Sequence, residues 1–208
     1  MAKQRKLWVV GVLLLACGAA VASNMGFKFV PNITQSGPAK QYSVSLPLNN
    51  NYTNAASVLA DIPAGCNGSK IVRIVPSVNG TTRQNWVAPG FGDNFTITKG
   101  MGLLVETNST CTNWVIVGSH DPAYVYNFGA GVQTLASIPY HTTATNAADV
   151  MASVGPNASK IVRIVPSVNG SSRQNWVAPG FGSNFTVTIG ESYLVEVTSA
   201  TSWTPAHY

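Results

Sequence analysis

The chain has 208 residues, of which 45% are apolar and only 9% are charged. This much apolar surface can offset the entropy lost on folding, which excludes a disordered chain. The formal charge of +5 comes largely from Lys3, Arg5 and Lys6, and the rest of the chain has nine basic and seven acidic residues. So small a positive balance argues against nucleic acid as a partner.

The N-terminus has the pattern of a signal peptide. Its basic residues are followed by an apolar run that ends in the small-x-small motif AVA at 20–22, which is typical of signal-peptidase cleavage. We expect residues 1–22 to be removed after Ala22 and the protein to be exported, either to the cell surface or medium or to the periplasm. A retained membrane anchor is the alternative, although a span usually needs about 20 apolar residues.

A second alternative concerns lipidation. The sequence LLACG at 14–18 fits a loose lipoprotein box, in which Cys17 would be acylated and become the first residue of the mature protein. The competing interpretation is that Cys17 is an ordinary apolar residue of the signal segment. Apart from the signal peptide and this cysteine, we expect no contact with a membrane.

In chain order, the first predicted strand is Tyr42–Leu48, where apolar and polar residues alternate. Thr53 then precedes NAASVLADI, which predicts a short helix with Thr53 as its N-cap. KIVRIVPSV and TTRQNWVA follow, separated by Asn79-Gly80, and an Asn-Gly pair between two such runs is typical of a tight type I′ β-hairpin. FTIT, LLVET and NWVIVGS predict three further strands.

One long segment of the chain occurs twice. Ser69–Thr98 recurs as Ser159–Thr188, 90 residues later, with 26 of 30 positions identical. Weaker matches extend this similarity on both sides. We therefore predict a mainly β protein of two tandem homologous modules, 25–122 and 123–208, each with about six short strands and one short helix.

The hairpin of each copy provides the candidate ligand contacts. A two-residue turn would place residues whose numbers sum to 159 opposite each other in the first copy, so we expect Arg73 to face Trp86 and, in the second copy, Arg163 to face Trp176. On one interpretation the arginine only covers a packed indole. On the other, each indole is a platform for a sugar ring, and neighbouring amides bind that sugar: Gln84, Asn85, Gln174 and Asn175.

The second copy is shortened at its C-terminus. Only five residues follow Trp203, whereas the strand that contains Trp114 continues through VIVGS. A missing strand leaves unpaired backbone groups at a sheet edge. The segment MGFKFV at 25–30 has strand character and could fill such an edge in its own chain or in a neighbour, which would produce self-association by strand exchange. Tolerance of a short edge is the alternative.

Two cysteines of the mature chain lie in the first copy and have no counterpart in the second. They are Cys66 and Cys111, and Pro156 and about Thr201 take their places in the second copy. Because both are gained or lost together, we expect a disulfide, which would contribute about 3–4 kcal/mol in an oxidising compartment. Two separate thiols are the alternative.

Residues for catalysis are few. The chain has three histidines and seven acids, and it lacks the recognised nucleophile-elbow, phosphate-loop and zinc-protease motifs. Ser119, His120 and Asp121 are adjacent, but the members of a working triad come from different elements. The block shared by the two copies contains no common acid or histidine. We predict a protein that is not an enzyme and has no cofactor or metal site.

Several short motifs give the chain a resemblance to a known group. SNMGFKF at 23–29, VGSHDP at 117–122, SLP at 45–47, SIPY at 137–140 and GESYLV at 190–195 resemble motifs of uncharacterised secreted tandem-repeat proteins of Gram-negative bacteria. GLLV at 102–105 departs from the pattern, because it lacks the aromatic residue. The resemblance implies secretion and β architecture, and it implies no activity.

Together these features predict a secreted or cell-surface structural or adhesive protein whose ligand is unknown. A polar surface with few charges suits contact with polysaccharide or with other surface proteins. The rival hypothesis is an extracellular pair of carbohydrate-binding modules that use Trp86 and Trp176.

Overall fold

A computed structural model describes residues 26–34 and 39–206. This part of the chain is mainly β, as predicted. The predicted signal peptide, its cleavage after Ala22 and the possible lipidation of Cys17 lie outside the described residues. Within those residues, no helix is both long and apolar enough to span a membrane.

The described residues form fifteen strands and two α-helices. The strands of the first half are Gly26–Phe29 (β1), Lys40–Ser45 (β2), Gly68–Ile74 (β3), Arg83–Val87 (β4), Phe91–Gly92 (β5), Gly102–Thr107 (β6) and Ile116–Ser119 (β7). Those of the second half are Tyr126–Phe128 (β8), Gln133–Ser137 (β9), Ala158–Ile164 (β10), Ser167–Val168 (β11), Arg173–Val177 (β12), Phe181–Gly182 (β13), Ser192–Val197 (β14) and Thr201–Trp203 (β15). The helices are Ala55–Asp61 (α1) and Ala147–Val154 (α2).

An asparagine caps each helix. The side chain of Asn54 accepts from the backbone N–H of Ser57 at 2.9 Å, and that of Asn146 accepts from the N–H of Asp149 at 3.1 Å. The predicted cap, Thr53, was one residue too early, because its own N–H donates to the Ser57 hydroxyl. Both caps satisfy N–H groups that the first helical turn leaves without a partner.

The strands assemble into two large antiparallel sheets. The first has the order β11-β2-β6-β3-β4-β5, and the second has the order β13-β12-β10-β14-β9. β11 comes from the second copy of the repeat but pairs with β2 of the first. The first sheet therefore contains backbone from both copies.

The hairpin between β3 and β4 differs from its predicted register. Ile71 lies opposite Trp86 and Arg73 lies opposite Gln84, so paired residue numbers sum to 157 rather than 159. The prediction was wrong because the two strands are joined by a loop of more than two residues, which is closed by the hydrogen bond from Val75 N to Thr82 O at 2.9 Å. Within this loop, Gly80 N donates to Ser77 O at 3.1 Å and Asn79 has a left-handed φ of 63°. The second copy has the equivalent register.

The core is partly common to the two copies. One cluster of buried side chains lies under α1 and a second lies under α2. A third cluster lies between the two large sheets and draws on both copies: Val72, Ile74, Leu104, Leu135, Val162, Ile164 and Leu194. Each copy buries apolar surface in this shared cluster, so each copy stabilises the other.

Backbone hydrogen bonds join the copies in matched pairs. Ser45 N donates to Gly190 O at 2.7 Å, and Ser137 N donates to Gly100 O at 2.9 Å. Ser137 and Gly190 are the repeat counterparts of Ser45 and Gly100. The same contact is therefore made twice in opposite directions, as in a pair related by a two-fold axis.

The N-terminal segment forms a strand, as its sequence indicates. β1 pairs with β7, at the end of the first copy, and not with the shortened end of the second copy. At the shortened end of the second copy, β15 pairs with β8. The ring of Phe29 nevertheless reaches the second copy, where it stacks on Tyr140 with 5.5 Å between ring centroids. The Phe29 ring also lies against Gly190, where a Cβ atom would overlap the ring.

Candidate functional site

Trp86 and Trp176 occupy equivalent positions in the two copies. Each indole is half-buried and packs against the hydrophobic cluster of its own copy. Trp86 lies across the strand pair from Ile71, which is fully buried, and its ring passes beside Gly90. Each indole therefore contributes to core packing as well as to the surface.

The two predicted arginines make different contacts. Arg163 binds Glu191 through two hydrogen bonds, Nε to Oε2 at 2.8 Å and Nη2 to Oε1 at 2.7 Å. This hydrogen-bonded carboxylate raises the pKa of Arg163 above its ordinary value. Arg73 instead donates to Gln84 Oε1 at 3.4 Å, because Met101 occupies the position equivalent to Glu191 in the first copy. Neither arginine lies directly opposite its tryptophan.

The predicted contact residues are divided between two faces of β4 and β12. Successive side chains of a strand alternate between faces, so Gln84 and Trp86 lie on the side of the first core cluster, whereas Asn85 lines a cleft on the other side. Gln174, Trp176 and Asn175 alternate in the same way on β12. The eight predicted residues therefore do not form one continuous surface.

Sequence reasoning missed Phe91 and Phe181. Each is 68% exposed, more than any other large apolar side chain of the described residues. They lie on β5 and β13, the outermost strands of one end of each large sheet. In the first copy, Gly90 and Gly92 flank the ring with positive φ angles of 153° and 94°, which glycine adopts without strain. The duplicated sequence PGFG is the signal that could have revealed them, since it places an apolar residue at a turn between two glycines.

A cleft of about 600 Å³ lies between the two copies, and we call it the inter-copy cleft. Cationic and neutral polar side chains line most of it. Its lining residues are Gln41, Lys70, Thr81, Arg83, Asn85, Val87, Asn169, Gly170, Ser171 and Arg173. Arg83 and Arg173 have the same position in the two copies, so equivalent side chains meet in this cleft.

Arg83 and Arg173 each hold a loop of the opposite copy. Arg83 Nη1 donates to Asn169 O, and Arg173 Nη1 donates to Asn79 O, both at 2.6 Å. Their Nη2 atoms donate to the carbonyl of the following glycine, at 3.4 Å and 2.9 Å respectively. Each Nη1 also binds a glutamine of its own copy. The loops are thus held reciprocally by identical groups.

No carboxylate of the described residues pairs with these two guanidinium groups. The four ion pairs in this part of the chain use other cations: Lys70, Lys99, Lys160 and Arg163. Burial lowers the pKa of Arg83 and so does the charge of Arg173, while burial lowers the pKa of Arg173 itself. Both side chains stay charged at neutral pH, because arginine ordinarily titrates far above it. The inter-copy cleft is therefore locally cationic in a protein of small net charge.

Cys66 and Cys111 form a disulfide, as predicted, with both side chains fully buried. The backbone of Cys111 also exchanges two hydrogen bonds with that of Ile33, of 3.0 and 2.8 Å. The covalent bridge and this pairing together fix the N-terminal segment to the first copy.

Ser119 and Asp121, on either side of His120 in the sequence, have separate hydrogen-bond partners. The Ser119 hydroxyl accepts from Asn49 Nδ2 at 3.1 Å, and Asp121 accepts from Lys99 Nζ at 2.8 Å. The serine and the aspartate are thus engaged by different partners. The described part of the chain also has no group of three or more His, Cys, Asp or Glu residues placed to hold a metal ion.

Searches among protein-family models, curated proteins and solved structures find no match to this chain.

Proposed function

We propose that the protein is an exported, non-enzymatic structural or adhesive protein that contacts its partner through two repeated turns. These are the β4–β5 turn beside Phe91 and the β12–β13 turn beside Phe181, and we call them the hairpin tips. The observation that carries this proposal is the 68% exposure of both Phe91 and Phe181. A single exposed phenylalanine needs no explanation. Here the same ring is exposed on the edge strand of each large sheet, between two glycines with positive φ angles. Large rings presented in this way suit contact with a partner.

The neutral surroundings of these rings support contact with proteins or polysaccharide. The hairpin tip of the first copy carries one acid, Asp93, and the equivalent residue of the second copy is Ser183. A ring that sits among neutral polar groups can be desolvated without stripping water from charges. The two tips therefore offer two similar, weakly charged contact points.

The proposal includes two tandem modules, 25–122 and 123–208, and export directed by residues 1–22. Support for the modules comes from the equivalent strands, helix caps and arginine contacts of the two copies. Each module supplies one hairpin tip to a joined pair. A partner with repeated binding sites would then be held by both tips, which raises the overall affinity above that of one tip.

The test uses labelled mature protein added to cells of the producing organism that lack the gene, with bound protein measured by flow cytometry. Phe91→Ser/Phe181→Ser should bind about tenfold less, because two aromatic contacts are lost. Val125→Ser is the matched control, since Val125 is 42% exposed and precedes β8, outside both tips and outside the β1–β7 pair. Each single phenylalanine variant should fall between the double variant and the unchanged protein. Equal binding by the double variant would reject the tips as the contact surface.

Self-association by strand exchange is part of the proposal for a structural role. The segment suited to it is β1, which pairs with β7 of the same chain. Transfer of β1 to β7 of a neighbouring chain would keep the same hydrogen bonds while linking the molecules. Light scattering over a concentration series compares the mature protein with a variant that lacks residues 24–31. Assemblies that disappear with the deletion support exchange, and a monomer in both cases rejects it.

A pair of carbohydrate-binding modules is the second candidate function. It is favoured by the partial exposure of the Trp86 and Trp176 indoles, next to Gln84 and Gln174 on the same faces of their strands. Binding to a panel of neutral polysaccharides is measured with Trp86→Phe/Trp176→Phe, which keeps an aromatic ring for packing. Loss of binding with an unchanged unfolding midpoint supports this candidate. No binding by the unchanged protein, or equal binding by both, rejects it.

A further inference from the structure

The inter-copy cleft contains two positive charges that the fold does not neutralise. Arg83 and Arg173 both line the cleft, and the ion pairs of the described residues leave both out. Lys70 lines it too, although its charge is offset by Glu106 at 3.0 Å. Holding two like charges near each other in a partly buried site costs free energy, and a bound anion would remove that cost.

The two arginines also have unused hydrogen-bond donors. Each guanidinium has five N–H groups. Arg83 uses three of them, toward Gln41, Asn169 and Gly170, and Arg173 uses three in the equivalent way. Two donors on each arginine therefore have no acceptor among the described residues. Guanidinium donors bind carboxylate, sulfate and phosphate oxygens with particular strength.

The rest of the lining suits a sugar. Thr81, Asn85, Asn169 and Ser171 contribute hydroxyl and amide groups to the cleft, and such groups exchange hydrogen bonds with sugar hydroxyls. Its volume of about 600 Å³ lies within the range of typical small-molecule sites. A free inorganic ion would leave most of this polar lining unused.

An aromatic ring continues the same face beyond the cleft. Val87 lines the cleft, and Phe91 lies opposite Val87 on the neighbouring strand. Residues paired across two strands share a face, so the exposed ring of Phe91 follows Arg83, Asn85 and Val87 along the hairpin. A chain of sugar residues that entered the cleft could continue over this ring.

We propose that the inter-copy cleft binds an acidic polysaccharide, whose carboxylate or sulfate group lies between Arg83 and Arg173 while its hydroxyls bind the neutral polar lining. The two arginines of this site are not part of the hairpin tips of the proposed function, and the two sites share only the ring of Phe91, over which a longer sugar chain would continue. The cleft site requires both copies, because each copy contributes one of the two arginines.

Three polymers and one ion serve as probes in calorimetric titrations: polygalacturonate, dextran sulfate, uncharged dextran and inorganic sulfate. The mature protein should bind at least one acidic polymer, and uncharged dextran should not bind. Binding should weaken as salt concentration rises, because added ions screen the charges. Tighter binding of polygalacturonate would indicate a carboxylate ligand, and tighter binding of dextran sulfate would indicate a sulfate ligand.

The decisive variant is Thr81→Glu, which places a carboxylate in the cleft without altering either arginine or the residues whose carbonyls they bind. It should weaken binding of the acidic polymer by about tenfold or more. Ser199→Glu is the matched control, because it adds the same charge at an exposed position outside the cleft and should leave binding unchanged. Unfolding midpoints of both variants are measured to show that each is folded.

Three results would overturn the proposal. They are absence of binding by both acidic polymers, equal binding by Thr81→Glu and the unchanged protein, and binding of inorganic sulfate as tight as that of the polymers. The last result would assign the cleft to a free anion. Failure here leaves the cell-binding test of Phe91 and Phe181 unaffected, so the two proposals fail separately.

Discussion

The guanidinium of Arg163 holds the carboxylate of Glu191 through two hydrogen bonds of 2.8 and 2.7 Å, a contact that the first copy lacks. The repeat counterpart of Glu191 is Met101. One substitution has thus changed the role of a duplicated arginine. It also leaves the side-chain oxygen of Gln174 buried with no hydrogen-bond partner among the described residues, whereas the equivalent Gln84 accepts from Arg73.

Removing this ion pair should destabilise the protein modestly. We expect Glu191→Gln to lower the free energy of unfolding by about 1 kcal/mol, since both side chains are only partly exposed and the pair is bidentate. Urea unfolding of the single variants and of Glu191→Gln/Arg163→Gln measures the coupling between the two groups. Arg73→Gln is the control and should have a smaller effect. Equal effects of Arg73→Gln and Arg163→Gln would contradict this account.

Gly102 should tolerate no side chain. A Cβ there would overlap Ser192 and come within 2.8 Å of Leu135 Cγ, both in the second copy. We expect Gly102→Ala to lower the free energy of unfolding by about 1–3 kcal/mol, because the buried contact has no spare volume. Ser192→Gly in the same chain should recover part of the loss, since it removes the side chain that the added methyl group would meet.

The matched control for this experiment is Gly65→Ala. Apart from its neighbours in the chain, no described residue has an atom within 4 Å of a Cβ at Gly65, so the effect of Gly65→Ala should stay within about 0.5 kcal/mol. If Ser192→Gly fails to improve Gly102→Ala, the close approach of the two copies at this point does not limit stability.

The disulfide should be a major contributor to stability. It closes a separation of 45 residues, for which the loop-entropy model gives about 4 kcal/mol. We expect Cys66→Ala/Cys111→Ala to lose about this amount in urea unfolding. Adding a reductant should lower the unfolding midpoint of the unchanged protein and leave that of the variant unaltered. A reductant effect of equal size on both proteins would contradict the assignment.

Glu196 should make the protein sensitive to acid. Burial by itself would raise the pKa of Glu196, but hydrogen bonds from Gln133, Lys160 and Ser159 outweigh it and hold the pKa below the ordinary value of 4.5. A carboxyl group whose pKa is lower in the folded than in the unfolded chain stabilises the fold above the unfolded pKa. That stabilisation is lost as pH falls through the folded pKa.

We therefore expect the free energy of unfolding to decline below about pH 4.5 and Glu196→Gln to make this decline shallower. Urea unfolding between neutral and acidic pH measures both slopes. Asp93→Asn is the control, because Asp93 is exposed and lies outside this contact. A decline of equal steepness in Glu196→Gln and the unchanged protein would show that other carboxylates account for it.

Local features of the fold could be predicted from the sequence because they depend on neighbouring residues. The short helix could be predicted from its apolar spacing and a polar residue before it, although the predicted cap, Thr53, lies one residue before the observed cap, Asn54. The strands could be predicted from the alternation of apolar and polar residues. The disulfide between Cys66 and Cys111 could be predicted because the repeat provides an internal comparison, in which both cysteines are missing together. The hairpin register could not, because the Asn79-Gly80 pair lies within a longer loop that is closed by the hydrogen bond from Val75 N to Thr82 O, and does not by itself form a two-residue turn.

The candidate sites depend on contacts that local patterns do not contain. Arg83 meets Gly170, 87 residues away, only because the two copies pack against each other. Nothing in the sequence around Arg83 signals this contact. The exposure of Phe91 likewise follows from its place on an edge strand, since an apolar residue in a β-rich sequence is otherwise expected in the core.

The reciprocal loop contacts have a consequence for a single copy of the repeat. Each copy carries both parts of the contact, the arginine and the loop carbonyls that the other arginine binds. Two unconnected copies could therefore make the same bonds as a homodimer with a self-complementary interface. Covalent linkage replaces a concentration-dependent association with an intramolecular one, at a high effective concentration. Linkage also ensures that each first copy pairs with a second copy. The two copies can therefore acquire different residues at equivalent positions, as at Met101 and Glu191.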